Sequence, residues 1–180
     1  QAALEGIRAA GPRLVEVPAM DLPCREALDV IVAAESASAF SDLLEDGRAS
    51  RLSAAGQAAG LRAAAGLQAS HYLRAMRVRR LAQEWLGNRM ADADLLISPL
   101  SYGLPPAVSD GLSSTQPPIP VLLAAGVLAG LPMLALPAGA VEGLPVGLLL
   151  AARPRMENVL LKTAAAAEAL HADWRRRPAY

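Results

Sequence analysis

The sequence predicts an α/β layer structure, and three of its features carry that expectation. Two short apolar runs near the carboxyl end, inside AGLPMLALPAGAVEGLPVGLLL (129–150), are punctuated by Pro132, Pro137 and Pro145 and separated by a Gly-rich turn. Proline lacks an N–H and fixes φ, so it suits the edges and corners of strands rather than their interiors. Both runs carry almost no polar side chain, which predicts strands covered on both faces. At the other end, a helical pattern stopped by Gly-Pro precedes a β-branched run, the order of an αβ unit. A length of 180 residues suits one domain spanning 1–180, large enough to bury about two thirds of its unfolded surface.

Element by element, residues 2–10 have helical spacing in Leu4, Ile7 and Arg8, and Gly11-Pro12 stops them. Leu14, Val15 and Val17 ahead of Pro18 predict a strand able to join a parallel sheet. Asp21 or Pro23 opens a long amphipathic helix over about 24–44, with Ala27, Val30, Ile31, Ala34 and Ala37 on one stripe. Residues 46–60 are rich in Gly, Ser and Ala and read as a mobile connection with at most one weak helix. A strong helix over about 70–90 is expected to turn Leu73, Met76, Leu81, Trp85 and Leu86 inward. Its arginines, Arg74, Arg77, Arg79, Arg80 and Arg89, read as a solvated face.

Leu95 to Ile97 form a short buried strand ending at Ser98-Pro99, and residues 100–118 a long loop of the kind that is often functional. A short apolar helix over 119–128 feeds a buried hairpin with strands at 133–136 and 146–151. A helix over about 157–174 and an arginine tail, Arg175 to Arg177, finish the chain.

Composition narrows the chemistry. Seventeen basic residues balance seventeen acidic ones, so no global field draws in nucleic acid or an anionic membrane. Sixteen of the basic residues are arginine, and Lys162 is the only lysine. Cys24 is the only cysteine, which excludes an internal disulfide framework and any multi-cysteine metal site and permits a reducing, cytoplasmic setting. The abundance of alanine fits close helix packing or a GC-rich coding bias, and coding bias is the preferred reading. No charge occurs between Gly111 and Val141, and the stretch 119–136 is long enough to span a bilayer. Pro120, Gly126, Gly130, Pro132 and Pro137 divide it into helix, turn and strand instead. The amino end has no basic region followed by an apolar core, so it is not a signal peptide. It lacks an initiating methionine and opens in a helix, which reads as a chain cut from something longer, processed or incomplete.

No catalytic constellation emerges from the residue types. Cys24 has no nucleophile turn around it and reads as an inert packed thiol. His71 and His171 lack partners at metal-ligand spacing. Ser113 and Ser114 have no glycine nest to supply an oxyanion hole, and Lys162 reads as an ordinary exposed lysine. The glycines at 126, 130, 139, 143 and 147 fit turns and strand contacts, not a phosphate cradle. No cofactor is expected.

The segments DADLLISPLSYGLPPAV, LLAAGVLAGLPMLALPAG and EGLPVGLLLAARPRMENVLLKTAAAAE, in that order, resemble the carboxyl-terminal half of the amidase signature family. AALEGIRAAGPRLVEVPAMDLPCREALDVIVAAESA and YLRAMRVRRL are similar to that family's helix, strand, following helix, and tyrosine-and-arginine helix. The resemblance implies a partial mixed β-sheet flanked by helices and hydrolysis or transfer at amide bonds. It also implies that the serine nucleophile, its partner serine and their lysine belong to the preceding half and map onto no residue here. Where many relatives carry Thr-x-x-x-Asn-Leu before AGLP, this sequence has Leu123 and Val127, which implies either a drier wall for an acyl pocket or a pocket no longer used. The candidate substrate-binding set is therefore the loop Pro99, Leu100, Ser101 and Tyr102 with Leu123 and Val127. The expected partner is a small-molecule amide, given the catalytic half, with no nucleic acid and no membrane. A truncated sheet would expose a strand edge for self-association or for docking on an amidase.

Overall fold

The computed structural model describes residues 2–9, 11–53, 55–107 and 117–170. Seven helices are assigned among them: α1 Ala2–Ala9, α2 Cys24–Ala39, α3 Ser41–Glu45, α4 Ala55–Ala65, α5 Ala69–Arg89, α6 Val121–Ala129 and α7 Glu157–Leu170. Three strands, β1 Leu95–Pro99, β2 Met133–Val141 and β3 Leu144–Ala152, form one sheet in the order β1-β3-β2, antiparallel at both pairings.

Alternation along the strands divides the core into two halves. Leu136, Leu148, Leu150 and Ala152 face Ile7 of α1 and Leu160, Ala164 and Ala167 of α7. Leu96 and Ala151 face the other way, onto Ala82, Leu86 and Met90 around α5, Ala124, Ala125 and Leu128 of α6, and Cys24, Ala27 and Ile31 of α2. The α/β class is borne out, with helices on both faces of a partial sheet.

The hairpin is more sharply built than its pattern foretells. The strands run on past Leu136 and start before Val146, meeting at a two-residue turn in which Glu142 (φ 52) and Gly143 (φ 78) are both left-handed. Positive φ at both central residues is the mark of a type I′ turn, whose twist matches that of antiparallel strands. Glutamate is poorly suited to that conformation. Glu142→Asn is therefore expected to raise stability by about 0.5–1 kcal/mol, read as a rise in denaturation midpoint. A bulge between Pro137 and Ala140, with Gly139 at φ 109, bends the distal part of β2.

Helix α6 ends in a Schellman arrangement. Gly130 is left-handed (φ 73), its N–H donates to Val127 O, and Leu131 N–H donates to Gly126 O at 3.0 Å. That cap turns the chain directly into Pro132 and β2.

Several expectations need correction. Leu14, Val15 and Val17 form no strand: residues 12–20 join no ladder, and Val15 is 64% exposed. A strand needs a neighbour, and these residues have none among those described. The expected strands are covered except at Ala135, which is exposed, as are residues 139–145, where the hairpin extends beyond them. Leu73 and Leu81 do not face inward; Ala75, Ala82 and Leu86 do. Alanine proves structural as well as abundant, because Ala27, Ala75, Ala82, Ala124 and Ala125 fill the contacts among α2, α5 and α6. Small side chains let these helices approach closely, which a search for large apolar stripes overlooks. The 24–44 helix is divided at Phe40 into α2 and α3, while the one helix allowed in the connection that follows is α4, which runs on past Gly60 to Ala65. The end of the last helix, the arginine tail, His171, Ser113 and Ser114 lie outside the described residues.

Candidate functional site

The loop that leaves β1 is anchored from both sides. Leu100 N–H donates to Gly147 O at 2.9 Å, continuing the ladder one residue past Pro99. Tyr102 N–H donates to Pro118 O at 3.1 Å, tying the loop to the segment that opens α6. Between them, the Ser101 hydroxyl donates to Gly103 O at 3.0 Å and accepts from Gly103 N–H at 3.2 Å. The hydroxyl is thus occupied in shaping its own turn. The Tyr102 ring stands 63% exposed, free of the core.

Leu123 and Val127 lie one turn apart on α6, opposite the buried Ala124, Ala125 and Leu128. Leu123 is half-buried and Val127 is 47% exposed. The loop therefore meets the start of α6, whereas Leu123 and Val127 occupy the outward side of that helix. Pro99 lines a separate apolar groove of about 250 Å³ with Leu4 of α1 and Ile97, Ala138, Val146 and Leu148 of the sheet.

A larger cleft, about 440 Å³, was not foreseen from the sequence. It lies between the start of α2 (Asp21 to Glu26) and the start of α6 (Ile119, Val121 and Ala124). Pro23 as a helix opener and the apolar helix over 119–128 were visible, but not that the two helix starts meet across nearly a hundred residues of chain. Arg25 at its rim is already paired with Asp29 at 3.0 Å.

Cys24 borders this cleft but is almost wholly buried, its thiol 3.4 Å from Met20 Sδ. Burial pushes the thiol up from its ordinary pKa, and the neighbouring Glu26 carboxylate pushes the same way. A thiol so raised stays protonated near neutral pH and is a poor nucleophile. At pH 8 its alkylation by iodoacetamide is expected to be at least about tenfold slower in the folded chain than in urea. His71 and Lys162 are exposed on their helices. Among the described residues, the Ser and Cys side chains that form hydrogen bonds do so with carbonyls, backbone N–H groups, a Gln oxygen or a thioether, never with a base. Nor do three or more His, Cys, Asp or Glu residues cluster there as a metal ion would require. No described helix is long and apolar enough to cross a membrane. What these residues offer is apolar surface on α6 and a fixed loop backbone after β1, which the described chain does not bring together into one pocket.

The profile of the Amidase family matches residues 2–161, nearly the full length of the chain. The chain belongs to the Amidase family. A glutamyl-tRNA(Gln) amidotransferase subunit from Marinobacter nauticus is 38% identical over 117 residues, 63% of this chain and 24% of that protein. The Myxococcus xanthus protein of the same name is 40% identical over 116 residues, 62% of this chain and 24% of its own length. The matches thus span about a quarter of these curated relatives. Among solved structures, the peptide amidase of Stenotrophomonas maltophilia superposes with a TM-score of 0.72 at 25% identity, covering 93% of this chain and 38% of that one. A bacterial aryl acylamidase of the amidase signature family shares the fold, with a TM-score of 0.70 at 16% identity over 99% of this chain and 43% of the other. The resemblance drawn from AGLP, LPAG and GLPVGLLL was to this family.

Proposed function

We propose that residues 1–180 are the carboxyl-terminal portion of an amidase-like domain, part of a hydrolase acting on the carbon–nitrogen bonds of small-molecule amides. On this reading the chain builds the sheet and one wall of the substrate cavity, from Pro99 to Tyr102 and from Leu123 and Val127. The serine nucleophile, its partner serine and their lysine are supplied by the portion of the fold that this chain does not span. The observation that carries the proposal is a family match over 2–161 in a chain that corresponds to 38–43% of solved amidases. Acyl transfer depends on an activated nucleophile and oxyanion donors, and the described hydroxyls serve local turns instead. On this reading the setting is cytoplasmic and neither nucleic acid nor a membrane is a partner of this chain alone, a reading supported by the balance of seventeen basic and seventeen acidic residues.

The isolated chain is expected to hydrolyse neither alkyl nor aryl amides above buffer, and to take up no fluorophosphonate label. A labelled serine within these residues, or turnover by the chain alone, would refute the assignment of the chemistry to another segment. A second reading, part of a glutamine-hydrolysing amidotransferase, is favoured by the names of the curated relatives. Supplied with the rest of the fold, such a protein would release ammonia from glutamine while leaving aryl amides intact.

A further inference from the structure

The turn that follows α3 joins two residues whose adjacency is chemically hazardous. Asp46 closes α3 at φ −87 and ψ 2, and Gly47 follows in the left-handed region at φ 76. A Cβ at Gly47 would meet nothing within 4 Å, so positive φ, not crowding, requires glycine there. With no side chain beside it, the Gly47 amide nitrogen is open to the carboxyl of the residue before. In such a pair the nitrogen can attack Cγ of the aspartate: the N–Cγ bond forms, the carboxyl hydroxyl and the amide proton leave as water, and a cyclic imide results. Water then opens the ring at the main-chain carbonyl, and the chain runs on through Cβ and Cγ with an extra methylene, as isoaspartate.

Each requirement of that reaction is opposed by the local structure. The angle ψ is the torsion from a residue's own nitrogen to the next, so ψ 2 at Asp46 eclipses the two nitrogens and turns that of Gly47 away from Cβ. Both amides are engaged, Asp46 N–H donating to Asp42 O at 3.1 Å and Gly47 N–H to Leu44 O at 3.4 Å. Ser50 fixes the far side of the turn, its N–H at 3.2 Å and its hydroxyl at 2.7 Å both donating to Gly47 O. The carboxylate is gripped by Arg48, whose backbone N–H donates to Oδ1 at 3.0 Å and whose Nε donates to Oδ2 at 2.5 Å. Hydrogen bonds to an ionised carboxylate favour that form. The Arg48 backbone bond first, and then its side chain, hold the Asp46 carboxyl below the usual carboxylate range. Ring closure consumes the neutral acid, because an ionised carboxylate has no hydroxyl to lose.

We infer that Asp46-Gly47 is a latent site of backbone isomerisation and that Arg48, by gripping both carboxylate oxygens, keeps it from converting to isoaspartate. Arg48 is a positioning residue, since the reacting atoms belong to Asp46 and Gly47. The need for it is local: the turn demands glycine at 47, and Ala49, only 1% exposed, is seated two residues further on, where an extra methylene would displace it. Both side chains of the grip are exposed to solvent, so it contributes little to stability. What it controls is a rate.

Peptide mapping that separates aspartyl from isoaspartyl forms tests this on the 180-residue chain, aged at physiological temperature and mildly acidic pH. Asp110-Gly111, the other such pair in the sequence, lies outside the described residues and serves as the reference site. The ratio of isomerisation at Asp46 to that at Asp110 is expected to be about tenfold lower in the native chain than in guanidinium chloride. Arg48→Ala keeps the backbone N–H and removes the guanidinium. It is expected to raise the native ratio by about fivefold and to leave both the ratio in denaturant and the melting midpoint unchanged. Arg48→Lys, which returns the charge, is expected to recover most of the protection. A native ratio equal to that in denaturant would overturn the inference. So would an Arg48→Ala chain that melts cooperatively and isomerises no faster than the parent, or a lysine variant that recovers nothing. If Arg48→Ala does not melt cooperatively, Arg48→Gln, which keeps the stem and loses the charge, decides by the same criterion.

Discussion

Truncating Leu150 to alanine is expected to lower the unfolding free energy by about 3–4 kcal/mol, in the upper range for emptying a core leucine site. Leu150 is wholly buried in the middle strand, opposite Ile97 of β1 on one side and Leu134 of β2 on the other. Its side chain shares a cluster with Ile7, Leu160 and Ala164, so the truncation removes contacts to two helices and both flanking strands at once. Those neighbours are held by ladders and by helix packing, and cannot collapse into the space. Against a total stability of about 5–15 kcal/mol, such a loss is a large fraction. Urea denaturation should show the midpoint fall with the slope unchanged. Leu161→Ala, one residue along α7 from Leu160 but 61% exposed, is expected to change stability by less than about 0.5 kcal/mol. Comparable losses at the two positions would mean that β3 is not the centre of the core.

What could be seen in the sequence and what could not follow a physical division. β1, the hairpin, α5 and α6 were legible because proline, glycine and apolar run length mark their limits locally. The Gly130 cap and the Glu142-Gly143 turn are choices of backbone conformation that a few residues make for themselves. The helix interfaces were not legible in the same way. On α5 the inward positions belong to Ala75 and Ala82, while Leu73 and Leu81, the more hydrophobic choices, stand exposed. Which face turns inward depends on how closely α2 and α6 approach, and only small residues permit that approach. Leu14, Val15 and Val17 show the reverse case, a correct strand composition without a partner within the described chain. Propensity states what a segment can do, and the ladder requires a second segment. The candidate site divides likewise. The course of Pro99 to Tyr102 follows from the strand before it, but the cleft between α2 and α6 comes from segments far apart in sequence.

Gly147→Val is expected to cost about 2–3 kcal/mol and Gly147→Ala about 1–2, because the position lies where β3, β2 and the candidate loop converge. A Cβ there would sit 3.1 Å from the Leu136 carbonyl oxygen, 2.9 Å from Leu100 Cδ2 and 3.3 Å from Leu100 Cβ. The oxygen belongs to the β2 backbone and cannot retreat without breaking the pairing around Leu136 and Leu148. Leu100 can retreat, but only by swinging away from the sheet and straining the bond from its N–H to Gly147 O. Relief through Leu100 thus shifts the loop that runs to Tyr102. Steric conflict with Leu100 predicts non-additivity: Leu100→Ala should recover about half the loss in the Gly147→Val background, a coupling of about 1 kcal/mol in a double-mutant cycle. Strain against Leu136 alone would give additive losses and leave the loop undisturbed. Gly143→Ala provides the contrast, for its Cβ meets nothing within 4 Å and the substitution pays only for φ 78, about 1 kcal/mol, with no coupling to Leu100. In a polypeptide that carries the rest of the fold, the proposed role of the loop as a wall of the substrate cavity predicts that displacement of Leu100 appears in KM for amide substrates before it appears in kcat.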